Sequence, residues 1–140
     1  MIDNSAGYSG TPLYKKLGIK QGFYIKLINC PSNYLDLLPG LPNNVVFAEA
    51  WADGKFDLIH FFTKQVDEYY KLLPLLLPQI MSNGVIRASW PKKSSKVATD
   101  ITEDIIRNYA IEIGLVDIKV CAIDQTWSGL KLVIPIKNRT

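Results

Sequence analysis

Three short runs rich in apolar residues, Gly22–Asn29, Phe56–Phe62 and Val85–Trp90, most constrain what this chain can fold into. The first is apolar on both faces, with Lys26 as its one blemish. A strand with one face in water alternates apolar and polar residues, whereas a strand covered on both faces does not. Such a run therefore suits a parallel sheet with helices packed on either side. The stretches between the runs carry the matching helical signals. Val66, Tyr69, Tyr70, Leu73, Leu76, Leu77 and Ile80 recur at helical spacing after Thr63, the expected N-cap, with Pro74 and Pro78 expected to kink or split the helix. Asp100 followed by Glu103 resembles a capping box opening a second helix through Ile105, Ile106, Tyr109, Ala110 and Ile113 to a stop at Gly114.

The remaining elements follow from breakers and alternation. Residues 1–11 read as an extended arm, Pro12–Leu17 as a short helix, and Asn33–Leu38 as one or two helical turns. Val45–Ala50 is a second strand. Only Trp51–Lys55 separates it from the third, too few residues for a helical crossover. Either these two strands form a hairpin through Asp53-Gly54, or the second is a very short edge strand. Asn83-Gly84 reads as a turn into the fourth strand. Val116–Asp124 and Leu130–Ile136 alternate, as two strands of a half-exposed edge hairpin do. The expectation is a single domain over 1–140 of α/β class. It is a three-layer Rossmann-like sandwich, its mostly parallel sheet of about six strands closed by a C-terminal antiparallel hairpin.

Composition narrows the partners. With 140 residues, 48% of them hydrophobic, the chain can bury a substantial core. A net charge of +3 is weak for a nucleic-acid binder, where clustered positive charge is expected. Cys30 and Cys121 lie far apart without a Cys-x-x-Cys pair, so both read as small core residues of a reducing compartment. Leu72–Leu77, the longest apolar stretch, is interrupted by Pro74 and too short to span a bilayer. The opening residues lack the regions of a signal peptide, so a cytoplasmic location is expected.

Several phrases carry a resemblance. Phe56-Asp57-Leu58-Ile59-His60 resembles the fourth strand of the class I methyltransferase fold that uses S-adenosylmethionine. Leu72-Leu73, Leu77-Pro78 and Asn83-Gly84-Val85-Ile86 resemble its next helix, turn and fifth strand, and the closing hairpin its sixth and seventh strands. Tyr8-Ser9-Gly10-Thr11-Pro12-Leu13, Lys15-Lys16-Leu17-Gly18-Ile19-Lys20, Ser89-Trp90-Pro91-Lys92-Lys93, Thr99-Asp100-Ile101-Thr102-Glu103 and Trp127-Ser128-Gly129-Leu130-Lys131-Leu132 resemble recurring phrases of a bacterial family of short proteins on this plan. That family has no assigned activity, so the resemblance implies a shortened, methyltransferase-like fold and nothing further.

The chemistry of that fold is incomplete here. A cofactor loop after the first strand needs glycines for tight turns and close backbone approach. Asn29-Cys30-Pro31-Ser32-Asn33-Tyr34 stands there instead, with no glycine between Gly22 and Gly40. S-adenosylmethionine is thus implied by resemblance but unsupported by the loop, and the cofactor stays open. His60 is the only histidine, so no His-based metal cluster can form, and no nucleophile elbow or Walker loop is present. No residue is assigned as catalytic.

What remains is a rim. Trp51, Trp90 and Trp127 each lie at or beyond the end of an expected strand, alongside Asn29, Glu49, His60, Ser89, Lys92, Lys93 and Ser128. Glu49 stands where an acidic residue would bind ribose hydroxyls, and His60 where a general base would face a ligand. Aromatic faces beside lysines suit an anionic or ring-bearing small ligand, or a protein partner. Lys92, Lys93 and Lys96 precede a helix start expected near Thr99 or Asp100, although Asp100, Glu103 and Asp104 would compete with a phosphate there. The reading is a non-catalytic Rossmann-like binding module. The alternative is a divergent S-adenosylmethionine-dependent enzyme using the rim in place of the glycine loop.

Overall fold

The computed structural model describes residues 10–139, and in it the apolar runs lie side by side. β1 (Tyr24–Ile28) is flanked by β2 (Val46–Ala48) and β3 (Phe56–Phe62), both parallel to it. β4 (Ile80–Pro91) continues the sheet in parallel, and β6 (Trp127–Val133) and β5 (Val116–Ala122) add an antiparallel pair. The order is β2-β1-β3-β4-β6-β5. The Rossmann-like, mostly parallel sheet with its antiparallel close is therefore as expected. The expected arm over residues 1–11 falls almost wholly outside the described residues.

Side chains leave each strand alternately to two cores. On one face Phe56, Ile59, Phe61, Ile86 and Ala88 meet Tyr69, Leu73 and Leu76 of α2 (Val66–Leu76) and Ile106 and Ala110 of α3 (Glu103–Glu112). Each fully buried isoleucine, leucine or phenylalanine side chain among them contributes roughly 1.5–3 kcal/mol relative to exposure. The Tyr69 hydroxyl donates to the Ile106 carbonyl at 2.6 Å, tying the two helices together. On the other face Leu58 and Phe62 pack beneath Leu17, which closes α1 (Leu13–Lys16), and beneath Tyr34 in a 3₁₀ turn (Tyr34–Leu37).

One open alternative is resolved and three boundaries differ from expectation, each for a tertiary reason. β2 does not form a hairpin with β3. It is a three-residue edge strand on the far side of β1, as the second alternative had it, and the seven-residue link, residues 49–55, crosses the sheet, held by Lys26 Nζ donating to the Ala52 carbonyl at 2.9 Å. β4 begins at Ile80, not Val85, because Asn83-Gly84 sits within a bulge opposite Phe56 and Leu58 rather than in a turn. Gly84 is required there, since a Cβ would come within 2.9 Å of the Phe56 carbonyl. β6 starts at Trp127, so Trp127-Ser128-Gly129 is strand rather than loop. α3 starts at Glu103, where Thr102 Oγ1 accepts from Ile105 N at 3.2 Å; Asp100 instead accepts from Val66 N at 2.8 Å and caps α2.

Candidate functional site

The parallel strands end together, and the chain leaves β1 for β2 on one side and returns to β3 on the other. In open α/β sheets this switch point opens a crevice at the carboxyl ends of the strands, where ligands bind. Here it lies between Asn29, which follows β1, and Thr63, which follows β3.

Asn29 adopts a left-handed backbone, φ 58°, a conformation asparagine tolerates better than other non-glycine residues. Its side-chain amide donates to the Phe62 carbonyl at 3.1 Å and to Glu68 Oε2 at 3.3 Å. Thr63, buried, donates from Oγ1 to Glu68 Oε1 at 2.6 Å. Glu68 lies in the first turn of α2, where a carboxylate also complements the helix dipole. One carboxylate thus accepts from the end of β1 and from the end of β3, laying a polar bridge across the switch point. Thr63 and Glu68 were not expected at the site. A threonine ending the strand with a glutamate five residues on, opposite an asparagine without glycines, is the signal that marks them.

The expected rim residues divide into two groups. Asn29, Glu49, Trp51, Lys92, Lys93, Trp127 and Ser128 do lie at the carboxyl edge, because β6 runs antiparallel and its first residues face the end of β4, with Trp127 opposite Pro91 and Ser128 opposite Trp90. Only Trp51, 81% exposed, offers a free ring face. Trp127 is half-buried and packs edge-on against Phe62, centroids 5.0 Å apart. Glu49 and Lys93 are exposed. Lys92 is half-buried; burial pushes its pKa down and Asp124 partly offsets this.

Three residues leave the rim. Trp90, at 6% exposure, belongs to the helical-face core. His60 and Ser89 are both 0% exposed, inside the sheet. His60 Nδ1 lies 2.7 Å from the Tyr34 hydroxyl and its Nε2 2.8 Å from Ser89 Oγ. Burial, reinforced by the Arg87 charge, holds its pKa well below the ordinary value, so the ring is neutral. No ligand on the surface can meet it. The helix-start reading of Lys92, Lys93 and Lys96 also fails geometrically: these lysines lie around a 3₁₀ turn (Lys93–Ser95), and α3 begins seven residues beyond Lys96.

Among the described residues no three His, Cys, Asp or Glu side chains converge to hold a metal. No described helix is long and apolar enough to cross a membrane. An open cleft of about 320 Å³ lies at the opposite, amino edge of the sheet, between Lys55, Pro78, Gly114 and Asn138, away from the switch point.

No protein-family model and no curated protein matches this sequence. Solved structures match the fold. The chain is similar to magnesium protoporphyrin IX methyltransferase from Synechocystis PCC 6803, determined with bound SAH, at 12% identity and a TM-score of 0.59, over 87% of this chain and 78% of that one. It is similar to Aeropyrum pernix fibrillarin, determined with natively bound S-adenosyl-L-methionine, at 12% identity and a TM-score of 0.56, over 87% and 76%. It is also similar to a methyltransferase from Pyrococcus furiosus at 12% identity and a TM-score of 0.53, over 94% and 87%. At these identities the likeness establishes the methyltransferase-like Rossmann fold.

Proposed function

We propose that this chain is a non-catalytic Rossmann-like module that binds a small anionic or ring-bearing ligand, or a protein partner, at the carboxyl rim of its sheet. The observation that carries the reading is the Asn29–Glu68–Thr63 bridge. Where a cofactor-binding member of such folds needs backbone to come close to its ligand, this chain places an asparagine side chain and a carboxylate across the crevice. A carboxylate there also disfavours phosphate. The residues present do not fit a cofactor loop of that kind, and no reaction step is assigned to such a group. Binding falls instead to the exposed Trp51 and the exposed Lys93 beside the half-buried Lys92, which offer an aromatic face and positive charge.

A second reading, a divergent S-adenosylmethionine-binding enzyme, is favoured by the fold neighbours determined with SAM or SAH and by the exposed carboxylate of Glu49 just beyond β2. A thermal-shift screen of the full chain against nucleotides, S-adenosylmethionine and S-adenosylhomocysteine tests both, because a ligand bound only by the native state raises its stability. The expected result is no shift with either adenosyl compound. Turnover of S-adenosylmethionine that disappears in Glu49→Gln would overturn the non-catalytic reading.

A further inference from the structure

Charge is divided between the two faces of the sheet, and the net +3 of the chain averages them. On the helical side, α2 and α3 carry Asp67, Glu68, Glu103, Asp104 and Glu112. Arg107 there is held by Glu103, Asp104 and, from β5, Asp117. The opposite face is reversed. α1 has Lys15 and Lys16 in its last turn and no acidic residue in its first. Beside it the sheet presents Arg87 of β4, Lys131 of β6 and Lys119 of β5. Among the described residues no carboxylate of these three strands turns to this side.

The strand pairing gathers these cations. Lys131 is directly opposite Arg87 in the β4–β6 ladder. On its other flank the register of β5 shifts between Asp117 and Val120, so Ile118 and Lys119 together oppose Lys131. Asp117 turns to Arg107 and Val120 to the helical-face core, which leaves Ile118 and Lys119 on the other side, both exposed. Arg87, 2% exposed, reaches the Lys16 carbonyl and Cys121 Sγ, each at 3.4 Å, but no carboxylate, so its charge is not cancelled where it sits. Cations gathered over one face sum to a potential that attracts polyanions. Trp127 shares the face, four residues before Lys131 on β6, half-buried with part of its ring in water. The nearby Asp124 carboxylate accepts from Thr126 N and Trp127 N, both at 2.8 Å.

We propose that this face binds single-stranded nucleic acid. Its phosphates lie against Lys131, Lys119 and the lysines of α1, and a base stacks on Trp127. A carboxylate-rich protein segment would meet the lysines but brings no planar base to the tryptophan. A duplex keeps its bases stacked inside, whereas a single strand offers them to an aromatic ring. The surface is separate from Trp51 and Lys93 at the rim, so it stands or falls independently of ligand binding there.

The test is fluorescence anisotropy of a labelled single-stranded oligouridylate of about 20 nucleotides, titrated with the full chain at about 50 mM salt. The expected Kd is at or below about 100 μM, with log K falling against log salt at a slope of about −2 to −3, as three or four phosphate contacts require. Lys119→Glu with Lys131→Glu should weaken binding about tenfold or more. Lys64→Glu with Lys71→Glu, the same change in net charge on the helical side, should alter it less than about twofold. Lys119→Gln alone, at an exposed position that leaves the fold undisturbed, should still cost about twofold to threefold. No binding at about 100 μM chain, or equal weakening by the two glutamate pairs, overturns the proposal. Oligoglutamate or duplex RNA of matched length bound as tightly as the single strand overturns it too, the first in favour of an acidic protein partner.

Discussion

The Tyr34 hydroxyl lies 2.7 Å from His60 Nδ1, and that contact joins the 3₁₀ turn after β1 to the centre of β3 inside the face that also buries Ser89 and Arg87 among apolar side chains. With Ser89 on the other ring nitrogen, the only histidine of the chain is fully satisfied and fully enclosed.

This enclosure makes stability pH-dependent with a defined sign. The folded pKa of His60 is depressed, while the unfolded chain takes up the proton near 6.5. The contribution is therefore complete above about pH 6.5 and is lost as pH falls below it toward the folded value, at about 1.4 kcal/mol per unit. Urea unfolding at about pH 7.5 and pH 5 should show the wild type losing about 2 kcal/mol more than His60→Leu over that interval. Equal losses would show that His60 is not buried neutral.

Removing one end of the contact should cost more than the contact itself contributes. Tyr34→Phe leaves a ring nitrogen buried without a partner, for an expected loss of about 1–3 kcal/mol in urea unfolding. In the His60→Leu background the same change should cost under about 0.5 kcal/mol, because nothing is then stranded. Additive costs would contradict the hydrogen bond.

Gly84→Ala should destabilise by at least about 1–3 kcal/mol, since the new Cβ meets backbone rather than a movable side chain at the Phe56 carbonyl and at Met81 N. A variant unfolding at the wild-type urea midpoint would place the bulge elsewhere.

Asp100→Ala should loosen α2 rather than α3. The Asp100 carboxylate accepts from Val66 N, so its loss should cost about 0.5–2 kcal/mol and speed amide exchange at the start of α2. Thr102→Ala should instead speed exchange at Ile105. Exchange changes confined to the first turn of α3 in Asp100→Ala would restore the local capping box.

What was legible in the sequence was whatever a single strand or helix decides for itself. Phe56–Phe62 is β3 to the residue, and the stripe from Val66 to Leu76 packs as α2, because burial on both faces or on one stripe leaves a pattern in the apolar residues. Partners distant in sequence were not legible. Asp100-x-x-Glu103 has the local form of a cap, yet Asp100 serves another helix. Asn83-Gly84 has the form of a turn, yet the neighbouring Phe56 makes it a bulge. At the rim, chain order alone gathered Asn29, Lys92 and Trp127 at one edge. It did not reveal that His60 and Ser89 turn inward, because whether a polar strand residue faces water or a buried partner depends on what covers the sheet. The Asn29–Glu68–Thr63 bridge joins three segments, and its trace in the sequence is the missing glycines after β1 and a strand-ending threonine with a glutamate five residues on.

The bridge across the switch point is tested most directly by calorimetric titration of S-adenosylhomocysteine into the full chain at about 1 mM, a concentration at which even binding worth only about 4 kcal/mol is visible. With the crevice closed by Asn29, Thr63 and Glu68, the expected result is no saturable heat. One-to-one binding with a Kd below about 1 mM would contradict a crevice blocked by the Asn29–Glu68–Thr63 bridge.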